Sequence, residues 1–276
     1  MQTEPDPAGL EPLAARARGV SLSYRGNVDA LTDTDVDIPK ASITAFIGPN
    51  GSGKTSLLRV LGGLLRPGSG KVETLGVRQP ADAARREGRC LRSQLSYVAQ
   101  DAAVDPEMTG RETLELLAAL HGVNRSARGA AVLRLAETFG LNAVLSRAVS
   151  TYSGGERRRL HLAGGLVSDA ELLLLDEPLA GIDADGRTRI WGELVRRSSR
   201  GRHTILVTHD LTGATEHADR VALFAAGRVL AEDAPAALIA KHAQGAKDGL
   251  REVYRELTGT PLPAPPSRGP GRQRGA

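Results

Sequence analysis

The chain has one cysteine, Cys90, in 276 residues. No intrachain disulfide can form, so a small stapled secreted scaffold is excluded. The single thiol suits a reducing compartment, and Cys90 reads as a small filler side chain. Long apolar runs are missing as well. Nothing approaches the roughly 18–20 apolar residues that cross a bilayer. The densest patch, Leu172 to Leu175, stops at Asp176. The opening MQTEPDPAGLEP is acidic and contains proline, without the basic start and apolar stretch of a secretory signal. The expectation is a cytosolic chain that reaches a membrane only through a partner. Charge of one sign is scarce: 36 Lys and Arg face 32 Asp and Glu, for a net charge of +4. That small excess is concentrated in SRGPGRQRGA, residues 267–276, and gives no footprint for nucleic acid. The tail reads as disordered, with contact to anionic lipid as its alternative use. There is no internal repeat and no sustained heptad pattern.

What is present is enough apolar material, 41% of residues, to bury one large core or a core with a subdomain. Short alternations in ARGVSLSY, ALTDTDVDI and SITAFIG predict strands. TSLLRVLGGLL follows with helical spacing of Leu57, Leu58, Leu61, Leu64 and Leu65, and Pro67, Gly68 and Gly70 are expected to stop it. KVETLG and QLSYVAQ read as further strands. From about residue 101 to 170 the chain becomes rich in Ala, Leu, Glu and Arg at helical intervals, most clearly in RETLELLAALHG and AAVLRLAETFGL. ELLLLDEP and HTILVTHD then read as buried parallel strands, joined by a crossover helix in TRIWGELVRRSS. The order is α/β core, helical insert, more α/β, then a mostly helical stretch from about 235 to 260.

GPNGSGKT, residues 48–55, matches G-x-x-x-x-G-K-[ST] between a strand and a helix. Gly48, Gly51 and Gly53 let the backbone curl so that consecutive N–H groups point inward. With the helix N-terminus they form an anion cradle. Pro49, Asn50, Ser52 and Ser56 complete the loop and the helix start. Lys54 is expected to reach the β- and γ-phosphates, and Thr55 to offer its hydroxyl to Mg2+. This loop predicts binding of a nucleoside triphosphate. Downstream, LLLLDEP ends a strand on two carboxylates. Asp176 is placed to help hold Mg2+, and Glu177 to polarise an attacking water.

TYSGGERRRL, residues 151–160, resembles the signature motif of ABC ATPases, about 20 residues before the acidic strand end. Gly154 and Gly155 would expose N–H groups at a helix N-terminus, beside Ser153. Glu156 stands where the family often has glutamine. Arg157, Arg158 and Arg159 are expected on a solvated helix face. The resemblance extends over about residues 16–230. It implies an α/β P-loop NTPase core with an N-terminal antiparallel β subdomain and an inserted α-helical subdomain. It also implies that Tyr24 stacks on adenine, against the competing reading of a strand-edge tyrosine. Gln100 would contact Mg2+ and the attacking water. Asp183, in AGID, would belong to the loop that crosses between subunits, where Ala180 replaces the usual serine. His209 would be the switch histidine that contacts the γ-phosphate. His121, His161, His203, His217 and His242 match no motif and are expected to be structural.

Residues 1–15 read as a flexible leader, and the resemblance implies 16–235 as the ATPase domain, with its helical insert at about 101–165. Residues 236–260 form a helical extension and 261–276 a disordered basic tail. The implied function is ATP hydrolysis driving transport across a membrane. The chain would lie peripherally on the cytoplasmic face, against a transmembrane permease, with a second ATP-binding subunit sandwiching ATP. PEMTGRETLELLAALHGV (106–123) and LREVYRELTG (250–259) resemble stretches of bacterial drug-resistance and polysaccharide exporter ATPases, which implies export. The alternative is a soluble ABC ATPase of DNA repair or translation. Against it stand the 99 residues from Lys54 to Ser153, which leave no room for a long coiled coil, the single cassette, and the single cysteine.

Overall fold

The computed structural model describes residues 12–26, 28–79, 86–100, 105–246 and 249–263. Most of the expected leader, most of the expected tail and residues 101–104 of the expected helical insert lie outside the described residues.

Two sheets and a set of helices share one polypeptide path. The first sheet is antiparallel, with β1 (Leu13–Tyr24), β2 (Val28–Pro39), β4 (Ser69–Thr74) and β5 (Val77–Gln79) in the order β2-β1-β4-β5. Strand β1 starts at Leu13, inside the expected 1–15 leader. Ala14 and Ala15 are buried there, and Leu75 N–H donates to the Ala14 carbonyl at 2.8 Å. The second sheet contains β3 (Ile43–Ile47), β6 (Leu95–Val98), β7 (Leu172–Asp176), β8 (His203–Val207), β9 (Arg220–Ala225) and β10 (Arg228–Asp233). Its order is β10-β9-β3-β8-β7-β6. All its pairings are parallel except β9 with β10.

The near-continuous apolar runs of β3, β7 and β8 follow from burial on both faces. Their residues alternate between two cores. Leu173 and Leu175 pack with Ile43, Ala45, Ile47 and Leu206 on one side. Leu172 and Leu174 pack with Phe46, Ile205 and Val207 on the other. The first core takes in α3 (Gly110–Leu120), α4 (Arg125–Thr138), α5 (Gly154–Gly165), α6 (Ala184–Ser198) and the late helices α8 (Pro235–His242) and α9 (Gly249–Thr258). The second core takes in the antiparallel sheet and α1 (Lys54–Leu61). The sheet is thus covered on both faces, as a parallel sheet requires.

Helix α1 ends at Leu61, before the expected proline stop. Gly62 lies so close to the sheet that an added Cβ would meet Leu174 Cδ1 at 2.6 Å, and Gly63 takes φ +67°. No sequence expectation covered β5, α2 (Arg86–Gln94), α7 (Leu211–His217) or the β9–β10 hairpin. The hairpin turns through Ala226 and Gly227, both at positive φ, as two-residue turns between twisted strands require. Its tip matters to the site, because Gly227 N–H donates to the Ser52 carbonyl at 3.2 Å.

Candidate nucleotide site

The glycine-rich loop runs from the end of β3 into α1. Gly51 takes φ +77° and Gly53 φ +102°, conformations that L side chains rarely adopt. Gly53 also lies where a Cβ would meet the Ala30 carbonyl at 2.5 Å, and Gly48 where one would meet the Phe224 carbonyl at 2.4 Å. The loop is therefore pressed against β2 and the β9–β10 hairpin, and its curl is fixed by packing as well as by composition. Ser52 is buried, and its N–H donates to the Pro49 carbonyl at 3.2 Å. Asn50 and Gly51 are exposed at the rim.

Lys54 is only 5% exposed. Its ammonium donates to the carbonyls of Gly48 at 2.8 Å and Pro49 at 2.7 Å. Burial pulls its pKa from 10.5 down to about 8, while the carboxylates of Glu177 and Asp176 act to raise it. A charged group held dry inside a loop of inward amides is poised for an anionic partner.

Strand β7 delivers Asp176, 1% exposed, beside the first turn of α1. Thr55 Oγ1 donates to Asp176 Oδ1 at 2.8 Å. The other carboxylate oxygen accepts from Tyr97 Oη at 3.4 Å, and Arg59 Nε donates to that phenol at 3.1 Å. Burial raises the Tyr97 pKa, and its bond from Arg59 lowers it, so the phenol stays protonated as a donor. Thr55 and Asp176 offer hard oxygen donors, the type that suits Mg2+. Among the described residues no group of three or more His, Cys, Asp and Glu forms an all-protein metal cage. A two-donor site of this kind fits an ion that keeps several waters and leans on substrate phosphates.

Glu177 sits in the left-handed region at φ +50°. That conformation costs a residue with a long side chain about 1 kcal/mol or more. It is held by two backbone bonds: its N–H donates to the Val207 carbonyl at 3.0 Å, and its carbonyl accepts from Arg158. The turn aims the side chain at His209, whose Nε2 lies 3.0 Å from Glu177 Oε1. An ionised carboxylate only accepts, so this ring nitrogen carries the proton. The His209 bond holds the Glu177 carboxyl below its usual range against the opposing effect of burial, and Lys54 and Arg158 add to it. Gln100 is exposed, and its carbonyl accepts from Arg158. Tyr24, at the end of β1, is 41% exposed, with its Oη 3.1 Å from Ser56 Oγ.

Ser153, Gly154, Gly155 and Asp183 gather at a second place, the N-termini of α5 and α6. Ser153 caps α5: its Oγ accepts from Glu156 N–H at 3.2 Å, and Glu156 Oε2 accepts from Ser153 N–H at 2.6 Å. This capping box explains a glutamate at position 156, and S-x-x-E was legible in the sequence. Ser153 and Gly154 are exposed, and nothing stands within 4 Å of a Cβ placed on Gly154. Asp183 Oδ1 accepts from Gly186 N–H at 2.7 Å, and its Oδ2 lies 3.7 Å from Arg159.

The expected solvated face of Arg157, Arg158 and Arg159 needs correction. Only Arg157 is exposed. Arg158 donates to the carbonyls of Gln100 and Glu177, so it ties α5 to the first cluster. Arg159 pairs with Asp183. With 3.6 residues per turn, positions 158 and 159 share the inward face with Gly155 and Leu162.

A family profile described as "ABC transporter" matches residues 31–180. The daunorubicin resistance ATP-binding protein DrrA3 of Streptomyces coeruleorubidus is 38% identical over 207 residues, 75% of this chain and 64% of the relative. The chain thus spans 64% of the length of that relative. The Nod factor export ATP-binding protein I of Rhizobium leguminosarum bv. viciae is 35% identical over 234 residues, 84% of this chain and 73% of the relative. Among solved structures, the ATP-binding subunit of an ABC transporter superimposes with a TM-score of 0.78 at 24% identity. That alignment covers 89% of this chain and 99% of the other, and it shows the ABC ATPase fold. With more than half of its residues inside the family profile, and a relative 35% identical over 73% of that relative's length, the chain belongs to the ABC transporter family.

Proposed function

We propose that the chain binds and hydrolyses ATP as the energy-supplying subunit of an ABC transporter, and that it powers export through a separate permease. The observation that carries this reading is the meeting of five motif residues at the C-terminal ends of the neighbouring strands β3, β7 and β8. Lys54 lies buried in the loop, Asp176 bonds Thr55, and Glu177 bonds His209.

The inward amides of residues 48–55 and the Lys54 ammonium receive the phosphates, with Ser56 beside them. Tyr24 supplies a ring for adenine. Thr55, Asp176 and Gln100 would hold Mg2+, which supplies charge neutralisation on the phosphate oxygens when bound. Glu177, kept ionised by His209, orients the attacking water and accepts its proton. His209 reaches the γ-phosphate. Its bond to Glu177 is worth keeping in a site closed to water, where electrostatic interactions strengthen. Ser153, Gly154, Gly155 and Asp183 form an open amide-rich face apart from this cluster. That separation supports pairing of two ATP-binding subunits, in which one chain's 153–155 turn closes over ATP on the other.

Export is supported by the names of the relatives, which concern daunorubicin resistance and Nod factor export, and these favour transport over repair or translation. Among the described residues no helix is long and apolar enough to cross a membrane, which supports a permease on a separate chain. The chain would then sit peripherally on the cytoplasmic face. The test is Glu177→Gln. The variant should bind ATP as tightly as the wild type, turn over at least about a hundredfold more slowly, and accumulate as a dimer in ATP and Mg2+. Turnover near the wild-type rate refutes Glu177 as the hydrolytic base.

A further inference from the structure

Trp191, the only tryptophan in the chain, lies two turns into α6 and is 2% exposed. Its indole Nε1 donates to Asp210 Oδ2 at 2.9 Å. Asp210 directly follows His209, and every polar group it owns near this turn is engaged. Its N–H donates to Thr208 Oγ1 at 3.0 Å, and its Oδ1 accepts from Gly213 N–H at 3.1 Å to cap α7. The indole then passes along α7 and meets His217 at its far end in a tilted ring contact, with ring centroids 5.5 Å apart. The approach depends on Gly213, where a Cβ would meet Trp191 Nε1 at 2.1 Å. Three bonds and a ring contact thus fix a three-residue turn whose middle member is His209. The helix that carries Trp191 is capped at its N-terminus by Asp183.

We propose that Trp191 is a positioning residue for hydrolysis: its N–H grips Asp210 and so sets His209 against Glu177. The inference rests on the reading of His209 and Glu177 as the hydrolytic pair. It adds a mechanical path, since α6 joins the Asp183 loop at one end to the histidine turn through the indole. Movement of Asp183 by a second subunit is transmitted along a rigid helix to the Trp191–Asp210 bond. The indole is buried and donates to Asp210 Oδ2, so losing it removes that partner from the carboxylate oxygen and frees the turn to rotate. Trp191 contacts Asp210 and His217 and none of the residues assigned to phosphate or adenine, so its effect falls on the rate and not on nucleotide affinity.

The test compares full-length wild type with Trp191→Phe and Asp210→Asn. Phenylalanine keeps an aromatic ring against His217 but has no N–H. Asparagine keeps one oxygen for the Gly213 cap but turns an NH2 toward the indole. Both variants should lose about tenfold or more in kcat, the effect of misplacing a reacting group by a fraction of an ångström. KM for ATP should stay within about twofold of the wild type. The double variant should be no slower than the worse single one, because the two changes break the same bond. An unchanged kcat in either single variant overturns the proposal. So does a parallel rise in KM with a large loss of thermal stability, which marks a packing role alone. Additive losses in the double variant overturn it as well. A wild-type chain that binds ATP but shows no hydrolysis overturns the hydrolytic pair and this inference together, whereas an active wild type with an equally active Trp191→Phe overturns only the latter.

Discussion

Replacing Lys54 by methionine should make the nucleotide-free protein more stable at neutral pH while abolishing its response to ATP. The lysine is 5% exposed, and burial brings its pKa from 10.5 to about 8. A lowered folded-state pKa means that the folded chain releases this proton before the unfolded chain does. The charged form therefore costs the fold about 3 kcal/mol below pH 8. Methionine has a similar length and no charge, so it escapes that cost. It strands the carbonyls of Gly48 and Pro49, which now accept from the ammonium, at about 1 kcal/mol each. The balance is a gain of about 1 kcal/mol at pH 7. Between the folded and unfolded values the unfolded chain holds more protons, so wild-type stability rises with pH. The advantage of Lys54→Met should therefore shrink by about 2 kcal/mol from pH 7 to pH 10, and change sign. Urea unfolding of both proteins without nucleotide, at several pH values, measures this directly. A difference that stays flat across the range refutes the burial cost assigned to Lys54. Adding ATP and Mg2+ should raise the midpoint of the wild type and leave the variant unmoved.

The remaining expectations probe other parts of the site and fold. Glu156→Ala opens the capping box of α5 and should cost about 1 kcal/mol in thermal unfolding. Arg158→Met removes the donor that joins the carbonyls of Gln100 and Glu177. It should slow ATP turnover by about tenfold while ATP affinity holds, and an unchanged kcat would separate α5 from the hydrolytic turn. Leu173→Ala empties a fully buried position in the first core and should destabilise the chain by about 3 kcal/mol. Asp176→Asn removes the carboxylate that accepts from Thr55, so the stabilisation by ATP should lose its dependence on added Mg2+.

Parts of this molecule were legible before any coordinates because their chemistry is local. The loop 48–55 declares itself through glycines, a lysine and a threonine within eight positions, and the strand that feeds it is a short apolar run. Leu172 to Asp176 reads as a buried strand for the same reason, and the structure pairs it on both sides. The β9–β10 hairpin was not legible. Its turn places Ala226 at φ +46°, where a sequence reader looks for Asn, Asp or Gly, and only Gly227 gives a signal. The end of α1 was misplaced by taking Pro67 as the stop, whereas Gly63, at φ +67°, supplies the left-handed glycine that closes the helix, a signal the sequence already carried.

The arginines of α5 mark the same boundary. Three consecutive cations look like a solvated face until the helix is packed, and then two of the three turn inward. The sequence by itself determined the chemical inventory: the anion cradle, two carboxylates at a strand end, a histidine at another, and the serine–glycine turn. These depend on residue type and short spacing. Only the tertiary structure decided that Lys54 is held dry on two carbonyls, and that Glu177 is bent into a left-handed turn toward His209. The same holds for Trp191, whose indole reaches the next residue along. Each of those arrangements is set by contacts between strands and helices distant in the chain, where packing and desolvation act and local spacing carries no information.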